Sequence, residues 1–96
     1  MKKKLLGKEH TGTLSSMDGL ANIYSKQGKW DKAEQLEVQV MNMRKKLLGD
    51  EHPDTLSSMR NLARIYRNLG RWNKARQLQV QVMNIRKKHP ERFQAA

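Results

Sequence analysis

Residues 55–66 read Thr55-Leu56-Ser57-Ser58-Met59-Arg60-Asn61-Leu62-Ala63-Arg64-Ile65-Tyr66, and 42 positions earlier the chain reads Thr13-Leu14-Ser15-Ser16-Met17-Asp18-Gly19-Leu20-Ala21-Asn22-Ile23-Tyr24. The match extends outward in both directions. Leu5-Leu6-Gly7 returns as Leu47-Leu48-Gly49, Gly28 and Trp30 as Gly70 and Trp72, and Val38-Gln39-Val40-Met41-Asn42 as Val80-Gln81-Val82-Met83-Asn84. Between residues 5–46 and 47–88, 28 of 42 positions are identical. A fixed period of this length marks a stacked array, in which one unit cannot bury its apolar faces alone.

Each unit reads as two helices. Leu14, Met17, Leu20, Ala21 and Tyr24 recur three and four apart, which predicts a first helix over 11–27 and again over 53–69. In the second copy Pro53 suits the first helical position and Asp54 the positive end of the helix dipole. The first copy has Thr11-Gly12 there, so its helix is expected to start late or fray. Gly19 should weaken it further, by about 1 kcal/mol relative to Ala. Gly28 and Gly70 end these helices by permitting a left-handed turn. A second helix begins near Trp30 or Trp72. Ala33, Leu36, Val40 and Met43 form one apolar stripe, while Val38 and Met41 lie on another side. A helix with two apolar sides is one sandwiched between neighbours. The expected architecture is all-α: one domain over 1–96, with repeats over about 5–46 and 47–88 and a short tail over 89–96.

Composition agrees. Hydrophobic residues make up 36% of 96 and are dominated by helix-compatible types, with Pro only twice. Twenty Lys and Arg against nine Asp and Glu give a net charge of +11, which favours anionic partners. The absence of Cys excludes disulfides and thiolate metal sites. No apolar run approaches the ~18–20 residues of a membrane span, and no apolar segment of a signal peptide follows the basic N-terminus. From these absences an intracellular, cytoplasmic protein without membrane contact is expected.

Leu20-Ala21-x-x-Tyr24, Gly28-x-Trp30-x-x-Ala33 and Val40 resemble the tetratricopeptide repeat. The linker Leu47-Leu48-Gly49-Asp50-Glu51-His52-Pro53-Asp54-Thr55-Leu56 is similar to the 42-residue class found in kinesin light chains, nephrocystin-like proteins and, most of all, fungal immune-receptor-like proteins. The resemblance covers residues 2–88 and implies an α-solenoid of about four helices in two antiparallel hairpins. It also implies a concave surface, lined by the first helix of each repeat, that binds protein segments. Carried over by motif, the groove positions are Ser15, Asp18, Gly19, Asn22, Ser25 and Lys26 in the first copy and Ser57, Arg60, Asn61, Arg64, Arg67 and Asn68 in the second; Asn22, Lys26, Arg60, Asn61, Arg64 and Arg67 are the candidate ligand contacts. Asn22 and Asn61 resemble asparagines of chaperone-tail-binding members, although Asp18 stands where a basic residue accompanies the first. The chain starts in phase with the tail of a preceding second helix, and Arg86-Lys87-Lys88 runs straight into His89-Pro90. It thus resembles a piece cut from a longer array, or a designed or relic sequence.

Arg60, Arg64 and Arg67 stand at i, i+4 and i+7, so one helical face offers three guanidiniums suited to carboxylates. An acidic peptide or acidic C-terminus is the sharper reading of this face, and a solvated basic face with no dedicated ligand is the plainer and favoured one. Leu78, Val80, Val82, Met83 and Ile85 lie on the last helix, with no third repeat to cover them. They are the expected self-association face of a homo-oligomer, a dimer or larger, with exchange of helices between chains as one form of it. Trp30 and Trp72 read as packing residues rather than base-stacking platforms, and Met17, Met41, Met59 and Met83 as core fillers. His10 and His52 recur 42 apart in equivalent loops, which is no metal spacing. Ser15-Ser16 and Ser57-Ser58 have no His–carboxylate partner, and no Gly-rich phosphate loop exists. The expected function is therefore non-catalytic, with no cofactor and no metal: a protein–protein interaction and assembly scaffold. The alternatives are electrostatic nucleic-acid binding, motivated by charge alone, and a repeat building block with no native ligand.

Overall fold

In the computed structural model, which describes residues 11–89, the duplication folds as two helical hairpins. Helices α1 (Thr11–Lys26) and α2 (Trp30–Leu48) form the first, and α3 (Pro53–Asn68) and α4 (Trp72–Lys88) the second. Each helix packs against the next in the chain, so α3 is gripped between α2 and α4. The architecture is an all-α solenoid of tandem hairpins.

The turns repeat atom for atom. Gly28 and Gly70 both sit at φ +78°, a left-handed backbone that a Cβ would strain. The amides of Lys29 and Arg71 reach back to the carbonyls of Tyr24 and Tyr66, each at 2.8 Å. That closure satisfies carbonyls left orphaned at the helix end. At the start of α3, His52 Nδ1 accepts from the Asp54 amide at 3.0 Å, so the loop histidine caps a helix. Glu51, in the same loop, accepts from Lys88 Nζ at 2.9 Å and pairs with His89 Nε2 at 2.8 Å, tying the loop to the end of α4. Hydrogen bonds from Lys88 first, then His89, hold its carboxyl below the usual carboxylate range. His10 lies outside the described residues.

The late start expected for the first helix does not occur: α1 is helical from Thr11, the position equivalent to Pro53. Burial of Leu14 and Ala21, each 1% exposed, fixes the helix where its cap sequence does not. Tertiary packing outweighs the missing Pro-Asp start.

The core centres on α3. Leu56, Met59, Leu62 and Tyr66 meet Met41 of α2 and Leu78 and Val82 of α4. Ala33 and Ala75, at equivalent positions on the second helix of each hairpin, are fully buried. As the two apolar sides of α2 predict, Ala33 and Val40 are buried on one, while Met41 is buried and Val38 half-buried on the other. The two hairpins nevertheless differ in exposure at equivalent residues. Leu62 and Ile65 of α3 are 1% exposed, whereas Leu20 and Ile23 of α1 are 42% and 51% exposed. The reason is position in the stack, because α3 has a hairpin before it and α1 has none among the described residues.

The same reason corrects expectations for α4. Trp72, read as a packing residue, is 63% exposed, and Met83, read as a core filler, is 57% exposed. Their counterparts Trp30 and Met41 are half-buried and buried, Met41 in the core cluster with Leu56, Met59, Leu62 and Tyr66 of α3. Conversely, Leu78 and Val82, expected on the uncovered face, are buried against α3. Those two lie on the stripe that faces their own hairpin. Of the five residues named for that face, Val80 and Met83 are exposed and Ile85 is half-buried.

Candidate functional site

Two clefts open beside α3. One, of about 560 Å³, runs between α3 and α4 and is lined by Arg60, Asn61, Arg64 and Arg67 from α3 and by Met83 and Arg86 from α4. The three α3 arginines converge there because spacings of four and three return to one helical face. Among the described residues, none of Arg60, Arg64, Arg67 or Arg86 forms an ion pair; the carboxylates that do pair, Asp18, Glu34 and Glu51, pair with Arg44, with Arg71, and with Lys88 and His89. Four guanidiniums around one cleft create a positive field that is strongest where water is partly excluded.

The second cleft, of about 310 Å³, lies at the seam between hairpins and is lined by Asp18, Asn22, Ser25, Glu37, Asn61 and Arg64, among others. Asn22, Asn61 and Arg64 from the expected groove therefore do come together. Asn61 Nδ2 donates to Asp18 Oδ1 and Arg64 Nη2 to Asn22 Oδ1, both at 3.4 Å. Lys26 lines neither cleft.

Beneath the seam sits a polar cluster that pattern reading does not single out. Arg44, buried on α2, donates to Ser58 Oγ at 2.8 Å and to the Asp54 carbonyl at 3.3 Å, and lies 3.7 Å from Asp18 Oδ2. Glu37, 1% exposed, stands beside it. Burial first, then the neighbouring Asp18 carboxylate, pushes the Glu37 carboxyl up to about 9, against the opposing pull of Arg44 and Ser58. Glu37 is thus a neutral acid at pH 7. Its Oε2 and the Ser25 Oγ are buried without hydrogen-bond partners.

The repeat alignment holds a signal for this cluster. Arg44 recurs as Arg86, but Asp18 becomes Arg60 and Glu37 becomes Gln79. The second hairpin therefore keeps the arginine and loses both acids. Gln79 is the neutral shape of a protonated glutamate, consistent with the state of Glu37.

A family profile described as tetratricopeptide repeat matches residues 13–54, and a second with the same description matches residues 38–88. The chain belongs to the tetratricopeptide repeat family. Tetratricopeptide repeats generally mediate protein–protein contacts and are typically non-enzymatic. The fold is similar to two crystal structures of a putative kinesin light chain from Podosopora anserina with nearly identical TPR-like repeats. One has a TM-score of 0.76 at 35% identity over 85% of this chain, the other 0.74 at 37% over 82%. This chain spans 39% and 37% of theirs. No curated protein matches the sequence. Among the described residues, no helix is long and apolar enough to cross a membrane.

Proposed function

We propose that the chain is a non-catalytic tetratricopeptide scaffold whose basic cleft receives acidic segments of partner proteins. The observation that carries this reading is the set of four arginines, Arg60, Arg64, Arg67 and Arg86, around one cleft without a carboxylate among them. Guanidinium forks bind carboxylates in two-pronged fashion, and such charge-assisted bonds are roughly twice as strong as neutral ones. The general positive charge of +11 would draw nucleic acid as well. Among the described residues that alternative finds no aromatic at the cleft: the exposed Trp72 does not line it.

Titration of the chain with a Glu-rich peptide and with a single-stranded oligonucleotide, each across a salt series, separates the two. A scaffold binds the peptide with an affinity that falls when Arg64 is replaced by Ala. Tight oligonucleotide binding with a steep salt slope, together with no peptide binding, would overturn the reading.

A second reading has copies of the chain associate through the last helix into a homo-oligomer. Trp72, Val80 and Met83, each between 47% and 63% exposed, favour it. Sedimentation across micromolar to millimolar concentration tests it, and a monomer throughout would exclude it.

A further inference from the structure

The seam cleft is lined by Asp18, Asn22 and Ser25 of α1, Glu37 of α2, and Asn61 and Arg64 of α3. Both hairpins contribute to it, so its walls come from the chain itself. Most of its polar groups are already bonded. Asp18 accepts from Asn61 and lies beside Arg44, and Asn22 accepts from Arg64. Two oxygens are not: Glu37 Oε2 and Ser25 Oγ have no hydrogen-bond partner, although Glu37 is 1% and Ser25 7% exposed. Buried polar atoms are almost always paired, so two orphans in one cleft point to a group that arrives from outside. Gly19, in the same cleft, leaves room for it, since nothing lies within 4 Å of the place its Cβ would take.

The pattern of donors and acceptors decides what that group is. Glu37 keeps its proton and shares it with Asp18, which leaves Oε2 an acceptor. Ser25 Oγ can accept as well. An anion would meet acceptors and be repelled. A cation would find Asp18 already matched by Arg44, Glu37 uncharged, and the exposed Arg64 guanidinium at the rim. A hydroxyl has a single hydrogen to give where two acceptors stand. A primary carboxamide has two N–H donors and one carbonyl oxygen. Arg64 can serve that oxygen, because among the described residues its guanidinium donates only to Asn22.

We propose that the seam cleft binds a primary carboxamide, carried by an asparagine or glutamine side chain or by a small free amide. Its NH2 group donates to Glu37 Oε2 and Ser25 Oγ, and its oxygen accepts from Arg64. The site belongs to this seam and not to the repeat as such. In the second copy Ser25 becomes Arg67, Asp18 becomes Arg60 and Asn22 becomes Arg64, so the acceptors are replaced by guanidiniums. It stands apart from the arginine cleft and its acidic ligands, and neither reading requires the other.

The test is a titration of the isotope-labelled 96-residue chain with glutamine blocked at both ends, followed by backbone amide chemical shifts. Blocked glutamate and blocked lysine, which share its two peptide groups, are the comparisons. The expected result is saturable shifts at Asn22, Ser25 and Glu37 with millimolar affinity, as befits so small a ligand, and none with the charged analogues. Ser25→Ala should weaken binding about fivefold to tenfold. Because Ser25 Oγ bonds to nothing in the folded chain, circular dichroism should show that variant's fold unchanged. Glu37→Gln keeps an acceptor oxygen and should bind about as well as the parent. Acetamide separates the sources. Equal affinity means that a free amide suffices, and tighter binding of blocked glutamine means that a polypeptide carries the group. Blocked lysine or glutamate saturating the same amides would overturn the proposal, as would binding indifferent to Ser25→Ala. So would the absence of saturable shifts with every probe, the outcome if water alone satisfies the two oxygens; the acidic-peptide reading would then still stand.

Discussion

Replacing Glu37 by Gln should stabilise the protein, and by an amount that grows with pH. Glu37 is 1% exposed, and its carboxyl titrates at about 9 in the folded chain against 4.5 for the free group. Below pH 4.5 both states hold the proton and the site costs nothing. Above it the unfolded chain releases the proton while the folded chain keeps it, so stability falls by about 1.4 kcal/mol per pH unit until the folded carboxyl itself ionises. At pH 7 the accumulated loss is about 3 kcal/mol, taken as an upper figure. Glutamine has nearly the same volume, keeps a donor for Asp18 and carries no proton to lose, as Gln79 does at the equivalent position. Urea unfolding of the parent and Glu37→Gln near pH 5, 7 and 8.5, followed by circular dichroism, measures the difference directly. The variant should gain least at pH 5 and most at pH 8.5. A variant less stable than the parent at pH 7, or a difference that does not widen with pH, would refute the assignment of Glu37 as a buried neutral acid.

Four other substitutions probe the stack. Leu62→Ala should lower stability by about 3 kcal/mol, whereas Leu20→Ala, the same residue type at the equivalent but 42% exposed position, should cost less than about 1 kcal/mol in the same denaturation assay. Arg44→Ala removes the cation from between Asp18 and Ser58 and should destabilise by about 3 kcal/mol, read from the urea midpoint at constant slope. Gly70→Ala places a Cβ on a residue at φ +78° and should cost about 1 kcal/mol, seen as a lower melting temperature, although nothing crowds the added methyl.

The helices, their turns and their order were legible because each rests on local chemistry. Three-and-four spacing of apolar residues sets a helix face, and Gly28 and Gly70 supply the left-handed backbone that closes each hairpin. The convergence of Arg60, Arg64 and Arg67 was readable for the same reason, since all three lie on one helix. Arg86 joins them only through the packing of α4 on α3. The cluster of Asp18, Glu37, Arg44 and Ser58 draws on three helices, so no spacing along one helix brings it together, and its only trace in the sequence is the joint loss of both acids in the second repeat.

By itself, the sequence determined that two nearly equal hairpins form. It could not decide which member of each equivalent pair is hidden. Leu20 and Leu62, Met41 and Met83, and Trp30 and Trp72 have matching neighbours in the chain, yet burial separates every pair. Burial is a property of what lies across the gap, and only the stacking of one hairpin on the other supplies that for Leu62 and Met41.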